Sequence, residues 1–296
     1  MSIFKAQDRV SAVADTNVYR GLPKIDTQAV VTAHSKELWL SPLNVLEILG
    51  LRDRDGDNEL SRRQAAARKM LELKQGWVVD PECFQASLLG CNVSGYKFDD
   101  YEEALNRLIK ANTRKDLASV SDFLNVSYAR EVRDAAYKQF YDKVKKVKEG
   151  YDNWCQDNSV VGSEKFKDEA IEQAFHDQNV VQVIQIAEFD RITFTVQELQ
   201  KQGTSYCECV LGSPCPSNME KLLPYVQMYC GYIHQHLKTG KIDKNDFGDM
   251  QFVAYCGGNY SILTQESQWI DIAEQVGMGS FVLPFDPNIL NRDSAL

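Results

Sequence analysis

The chain contains no long apolar run. Within its 296 residues, no stretch of about 18 consecutive apolar residues occurs, so we expect no membrane-spanning helix. The opening segment, MSIFKAQDRVSAVADTN, lacks the apolar core of a secretory signal, so we expect a cytoplasmic protein. Hydrophobic residues make up 44% and charged residues 25% of the chain, which is ordinary for a globular protein with a sizeable core.

The sequence also lacks the glycine-rich loops that cradle phosphates. No GxxxxGK[ST] motif is present and no GxGxxG motif follows a strand, which argues against a P-loop ATPase and a dinucleotide-dependent enzyme. The acidic stretch 53-DRDGDNEL-60 is not a calcium loop. Asn58 stands where such a loop requires glycine, and Gln64 stands where it requires glutamate.

Paired metal ligands are scarce. His234 and His236 are two residues apart and cannot share one face of a helix, and the four histidines form no ligand set. Of the eight cysteines, Cys207, Cys209 and Cys215 are clustered, but structural zinc sites usually combine CxxC pairs or add histidines. We therefore interpret the cysteines as reduced buried thiols, with a zinc site as the less favoured alternative.

Acidic residues outnumber basic residues in the chain. The formal net charge of −9 argues against a nucleic-acid binder that uses a broad basic face. Local basic clusters remain on two predicted helices: Arg62, Arg63, Arg68 and Lys69 on one, and Lys143, Lys145, Lys146 and Lys148 on the other. Such clusters usually form solvated helix faces, and only a minority contact phosphate.

Both ends of the chain alternate short apolar runs with helical segments. The predicted strands are 10–14, 37–40, 260–263 and 280–284, and the predicted helices are 26–36, 42–50, 58–75, 217–238, 245–256 and 267–276. This alternation predicts an α/β fold of three layers, α/β/α, around a central parallel sheet.

The middle of the chain has helical spacing and few strand signals. We predict helices at 99–112, 116–124, 127–151 and 163–178, and a connection at 202–218. The domain organisation that follows is one α/β core formed by 1–76 and 216–296, carrying a large, mostly helical insertion formed by 77–215.

Carboxylates occur where this fold would place a ligand. Asp15 follows the first strand, and Thr264 and Glu266 follow the strand 260–263. Ligands of parallel α/β sheets bind at the carboxyl ends of the strands. Glu47 lies at the edge of the apolar stripe of the helix that begins at Pro42, where a carboxylate is costly unless it is paired.

Two further acids, Asp246 and Asp249, lie three residues apart on the helix 245–256. Asp246 has an ordinary explanation as a first-turn acid, just as Asp15 could be a helix cap and Glu47 a salt-bridge partner. Asp249 points along the buried stripe and is harder to explain. Converging carboxylates repel unless a cation offsets them, and Mg²⁺ or Mn²⁺ is the usual guest of an all-oxygen site. Such a site supports phosphodiester hydrolysis by a metal-activated water.

The order and context of these acids resemble the PIN-domain nucleases. The matching segments are 13-VADTNVY-19, 39-WLSPLNVLEIL-49, 246-DFGDMQFVAY-255 and 262-ILTQES-267. The resemblance covers roughly 10–75 and 220–285 and leaves 77–215 unmatched. Each motif alone is a weak signal. Together they are moderately specific, because they occur in the order of the family and on the expected strands and helices.

The resemblance implies roles for seven residues. The acids that would hold Mg²⁺ or Mn²⁺ and carry catalysis are Asp15, Glu47, Asp249 and Glu266. Asn17 and Thr264 would support the site by hydrogen bonds, and Asp246 would be an auxiliary acid. Glu266 departs from the aspartate that is usual at its position, so the spacing of a second metal depends on this longer side chain.

The resemblance also implies a function. It predicts a metal-dependent endonuclease, most often acting on RNA, with a toxin or a defence effector as candidate roles. Many family members are toxins with an antitoxin partner, and others process RNA or act in defence. We accordingly expect a nucleic-acid substrate, with an antitoxin, another regulatory protein or a second copy of the chain as protein partner. The alternative is a binding or scaffold protein that keeps the fold with weak metal affinity and uses 77–215 as its partner surface.

Overall fold

A five-stranded parallel sheet lies at the centre of the molecule. The structure, a computed structural model, describes residues 11–22, 37–50, 57–90, 93, 96–201, 220–240 and 244–287. The strands are β1 (Ser11–Ala14), β2 (Glu37–Leu40), β3 (Lys74–Trp77), β4 (Tyr260–Thr264) and β5 (Val282–Pro284). Their order is β3-β2-β1-β4-β5, and every neighbouring pair is parallel. β1 is therefore central, and its carboxyl end lies between those of β2 and β4.

Helices surround this sheet. In chain order they are α1 (Thr16–Gly21), α2 (Pro42–Leu49), α3 (Asp57–Leu73), α4 (Pro81–Leu88), α5 (Asp99–Lys110), α6 (Arg114–Phe123), α7 (Val126–Asp157), α8 (Asp168–Asp177), α9 (Val180–Lys201), α10 (Leu223–Thr239), α11 (Lys244–Val253) and α12 (Ser267–Gln275). Short 3-10 turns cover Gly162–Phe166 and Glu220–Leu222. Among these helices, none combines the length and the apolar character needed to cross a bilayer.

Two hydrophobic cores lie on opposite faces of the sheet. Successive strand residues point to opposite faces, so Ala12 and Ala14 join one core while Val13 joins the other. The first core packs the sheet against α2, α3 and α5, and the second packs it against α10, α11 and α12. This confirms the predicted three-layer α/β/α architecture.

The insertion extends both cores. Leu105 of α5 and Leu117 of α6 belong to the first core, whereas Phe140 of α7 and Ile171 of α8 belong to the second. The helices predicted in this part of the chain are present, and α4 and α9 are additional. The predicted helix 26–36, the connection 202–218 and the cysteine cluster Cys207, Cys209 and Cys215 lie outside the described residues.

Strand β3 was not predicted from the sequence. The predicted helix 58–75 ends at Leu73, and the next four residues, Lys-Gln-Gly-Trp, pair with β2. This segment has little strand propensity, so it is a strand only because it pairs with β2. Gly76 is required there because a Cβ at this position would lie 2.7 Å from the Trp39 ring. Residue 77, predicted to open the insertion, is the last residue of β3.

A buried ion pair attaches the insertion to the second core. Glu188 of α9 is only 4% exposed and accepts hydrogen bonds from Arg191 Nε at 2.8 Å and from the Tyr225 hydroxyl at 3.3 Å. Lys143 of α7 approaches the same carboxylate at 3.8 Å, and Arg191 also donates to Gln85 of α4. The pair therefore links four helices, because Glu188 of α9 contacts α7 and α10 and Arg191 of α9 contacts α4.

We expect Glu188→Gln to lower the free energy of unfolding by about 2 kcal/mol, because it leaves the half-buried Arg191 without its closest counter-charge and weakens a charge-assisted hydrogen bond. Urea denaturation followed by circular dichroism measures this. The matched control is Glu169→Gln, which removes an exposed carboxylate of α8 and should leave the denaturation midpoint unchanged. Equal midpoints for the two variants would contradict the stabilising role of Glu188.

Candidate metal centre

Asp15 is at the centre of the candidate site. The residue is 7% exposed and directly follows β1, where its backbone N–H donates to the Leu263 carbonyl at 2.9 Å. Its side chain caps α1 by accepting from the Asn17 backbone N–H at 3.2 Å. The second carboxylate oxygen accepts from the Thr264 hydroxyl at 3.2 Å. Asp15 is thus held at both oxygens by neutral donors.

Glu47 is brought to Asp15 by the way in which α2 begins. The Ser41 backbone N–H donates to Asn44 Oδ1 at 2.9 Å, and Pro42 occupies the first helical position. The amide of Asn44 then donates to the Ala14 carbonyl at 2.9 Å and to the Thr16 hydroxyl oxygen at 3.2 Å. These bonds fasten the start of α2 to the end of β1, and Glu47 follows one turn later.

Glu266 joins the same hydrogen-bonded group from the end of β4. Its backbone N–H donates to Thr264 Oγ1 at 3.1 Å, so one hydroxyl connects Glu266 with Asp15. The Asn17 side chain donates to Glu266 Oε1 at 2.9 Å. The structure therefore brings Asn17, Thr264 and Glu266 into one hydrogen-bonded group with Asp15.

Asp249 approaches Asp15 from α11. A small cavity of about 10 Å³, room on the order of one water molecule, lies between Asp15, Asp249, Thr264 and the Trp269 ring. Within the described residues, the buried indole N–H of Trp269 has no hydrogen-bond partner of ordinary geometry. It nevertheless favours the charged form of Asp249. Phe252 and Ile262 complete the lining, so the space between the two acids is mostly apolar.

The four acids interact strongly through their charges. Burial, followed by the charge of Asp15, raises the pKa of Glu47 to about 7, although a hydrogen bond with Thr16 opposes the shift. Burial and the charges of Asp15, Glu266 and Glu47, in that order, raise the pKa of Asp249 to about 7. Burial also raises the pKa of Asp15, and the Asn17 N–H opposes it. This mutual repulsion is the property that a divalent cation would relieve.

The acids converge without forming a finished coordination sphere. Among the described residues, no group of three or more His, Cys, Asp or Glu side chains has the spacing of a metal site. The donor set still fits Mg²⁺ or Mn²⁺, because all four side chains offer carboxylate oxygen and none offers sulfur or imidazole.

Two arginines offset the acids. The positive charge of Arg20, at the end of α1, lowers the pKa of both Asp15 and Glu47. Arg133 of the insertion helix α7 also lowers the pKa of Glu47. Its guanidinium lies against Gly248 of α11, where a Cβ would overlap it and would lie 3.9 Å from Glu47 Oε1. The insertion therefore contributes a cation to the site, and Gly248 provides the space for it.

Asp246 is placed differently from the other predicted acids. Its carboxylate accepts a hydrogen bond from the Tyr232 hydroxyl at 3.0 Å, which connects the start of α11 with α10. This contact gives Asp246 a structural role in orienting the helix that carries Asp249.

Sequence reasoning missed several residues of the site. Thr16 and Asn44 lie inside the quoted motifs, and their hydrogen bonds could have been anticipated from Asp15-Thr16-Asn17 and Ser41-Pro42. Arg133 and Trp269 carry no comparable signal, because helical spacing alone does not show which face of α7 or α12 meets the sheet edge.

Comparison with known proteins finds no matching family model, no matching curated protein and no matching solved structure. The resemblance to PIN-domain nucleases therefore stands on the quoted segments and on the placement of their acids.

Proposed function

We propose that this protein is a Mg²⁺- or Mn²⁺-dependent endonuclease that hydrolyses phosphodiester bonds. The observation that carries the proposal is the convergence of Asp15, Glu47, Asp249 and Glu266, from four separate parts of the chain, at the carboxyl edge of one parallel sheet. Ligand sites of such sheets lie at this edge. Asp15, Glu47 and Asp249 have raised pKa values in a partly buried position, which is typical of a functional site.

Each residue has a role that its surroundings support. Asp15, Glu47, Asp249 and Glu266 would hold the metal ion, which when bound lowers the pKa of water and stabilises charge on phosphate oxygens. Asn17 and Thr264 fix the direction of the Asp15 and Glu266 oxygens. Arg20 and Arg133 lie on the borders of the acid cluster, where they can attract a phosphate of the substrate.

RNA is the proposed substrate because the nucleases of the family that this sequence resembles most often act on RNA. The proposal is tested by incubating the purified protein with single-stranded RNA, structured RNA and single-stranded DNA, each with Mn²⁺ and with EDTA. We expect Mn²⁺-dependent internal cleavage of RNA. Absence of cleavage of every substrate with Mn²⁺ present would refute the nuclease and favour a binding protein that retains the fold.

Arg133 is expected to act on substrate binding and not on metal binding. Arg133→Gln should raise the KM for RNA about five- to tenfold, because it removes one charge-assisted phosphate contact, with a smaller effect on kcat. The apparent affinity for Mn²⁺ should not fall, since a neighbouring positive charge disfavours a cation. Steady-state kinetics and isothermal titration calorimetry measure the two quantities.

Gly248→Ala provides an independent check of the same contact, because its methyl group would displace the Arg133 guanidinium without removing it. It should raise KM in the same direction. Lys138→Gln is the matched control, since it removes one exposed charge of α7. A loss of Mn²⁺ affinity in Arg133→Gln, or an unchanged KM, would contradict the assigned role.

A further inference from the structure

A polar cleft on the first-core side of the molecule lies outside the carboxylate site. Its volume is about 470 Å³, which is in the range of small-molecule sites. One wall is α3, and the other is the turn between α5 and α6. The lining residues are Leu60, Ser61, Gln64, Arg68, Ile109, Lys110, Ala111, Asn112, Thr113 and Arg114. They include three cations and no carboxylate.

The walls of the cleft are fixed by hydrogen bonds. The Gln64 amide of α3 donates to the Ala111 carbonyl at 2.6 Å and also reaches the carbonyls of Leu108 and Ile109 at the end of α5. Across the turn, Asp116 accepts from the backbone N–H groups of Asn112 and Thr113, both at 2.9 Å. The turn is therefore tied to α3 on one side and capped on the other, so the cleft is held open between well-connected elements.

The charges of the cleft are not explained by local helix stability. Arg114 and Lys115 stand in the first turn of α6, where the helix dipole disfavours positive charge. Lys110 is at the end of α5, where a cation is favourable, but Arg68 is an exposed residue in the interior of α3, away from both of its ends. Neither Arg68 nor Lys110 forms an ion pair with another described residue. In a chain with a net charge of −9, this is a local cationic site.

We infer that this cleft binds phosphate groups of a nucleotide or of an RNA strand, through Arg68, Lys110 and Arg114. Asp116 already occupies the backbone donors of the turn, so side chains must supply the contacts. Arginine and lysine are the residues that bind phosphate in proteins, by paired hydrogen bonds and as a point charge respectively. Binding of an RNA strand in the cleft rests on the proposed function, whereas binding of a phosphate group by these three side chains does not.

The cleft is connected to the carboxylate site through α6 and α3. The Ser121 hydroxyl of α6 donates to the Leu49 carbonyl at 3.0 Å, and Arg63 of α3 donates to the carbonyls of Ile48 at 2.6 Å and Gly50 at 2.7 Å. These carbonyls belong to the end of α2, the helix that carries Glu47. Arg114 is seven residues before Ser121, which is about 10 Å along a helix.

The test uses the full-length chain with the triple substitution Arg68→Gln, Lys110→Gln and Arg114→Gln. The matched control removes three exposed lysines elsewhere, by Lys97→Gln, Lys138→Gln and Lys146→Gln, so both variants have the same net charge. Binding of a short fluorescein-labelled single-stranded RNA is measured by fluorescence anisotropy over a range of salt concentrations. Binding of ADP is measured by calorimetry, and circular dichroism verifies folding of both variants.

All binding is measured in EDTA and in an Asp15→Asn background, so the RNA is not cleaved during the measurement and the result does not depend on nuclease activity. We expect the cleft variant to bind RNA at least about tenfold more weakly than the control, with a salt dependence reduced by about two counterions. A loss of ADP binding with unchanged RNA binding would instead assign the cleft to a free nucleotide and still support a phosphate site. Identical binding of both ligands by the cleft variant and the control would overturn the inference. Failure of the nuclease assay with these differences intact would count against the proposed function alone.

Discussion

Asp15→Asn should abolish metal-dependent cleavage and lower kcat by at least about 10³-fold, the scale of losses on removing one member of a catalytic group that acts as a unit. Asp15 is the acid whose charge raises the pKa of both Glu47 and Asp249. Asparagine has the same shape and can still accept from Thr264, so the substitution removes charge while it retains packing. Single-turnover cleavage of labelled RNA at saturating Mn²⁺ measures the loss.

Two other Asp→Asn substitutions provide the comparison. Asp271→Asn alters an exposed residue of α12 and should leave kcat unchanged. Asp246→Asn should have an effect of less than about tenfold, because the Asp246 carboxylate contacts Tyr232 and acts on the site only through the position of α11. A residual rate in Asp15→Asn comparable with that of Asp271→Asn would show that the cleavage arises elsewhere.

The metal-free protein should lose several kcal/mol of stability as the pH rises from about 4 to about 7. The pKa of Glu47 rises from 4.5 to about 7 on folding, and that of Asp249 rises from 3.8 to about 7. Between the unfolded and folded pKa values the folded state binds more protons than the unfolded state, so stability falls with increasing pH. Above about pH 8 both states have lost these protons and the dependence ends.

Urea denaturation in EDTA at a series of pH values measures this profile. Glu47→Gln and Asp249→Asn should each flatten it and should stabilise the metal-free protein at neutral pH and above. Glu169→Gln should leave the slope unchanged. Addition of Mn²⁺ at high pH should restore the stability of the wild type, because an ion that binds only the folded state stabilises it by mass action. A profile that rises over this pH range, or that is the same in all variants, would show that folding does not raise the pKa of Glu47 and Asp249.

Much of the sheet could be predicted from the sequence. The strands at 11–14, 37–40 and 260–264 are short apolar runs followed by turn or capping residues, and their local signals agree with their final state. Strand β3 could not be predicted, because Lys74-Gln75-Gly76-Trp77 is a strand only through its pairing with β2 and the fit of Gly76 under Trp39.

The residues of the candidate site also differ in how far the sequence predicts them. Asp15, Thr264 and Glu266 could be placed at one edge because each directly follows a strand of a parallel sheet. Glu47 and Asp249 could be inferred only from their position on an apolar stripe. Arg133 could not be found, since it comes from an insertion whose orientation depends on tertiary packing around Phe140 and Phe247.

The most direct test of the account is the binding of Mn²⁺ to the metal-free protein, measured by isothermal titration calorimetry at neutral pH. The account predicts that the wild type and Asp271→Asn bind Mn²⁺ with equal affinity, and that Asp15→Asn and Asp249→Asn each weaken binding at least about tenfold, because each removes a charged ligand. Wild-type protein that binds Mn²⁺ no more tightly than the Asp15→Asn, Asp249→Asn double variant would contradict the claim that these carboxylates form one metal site.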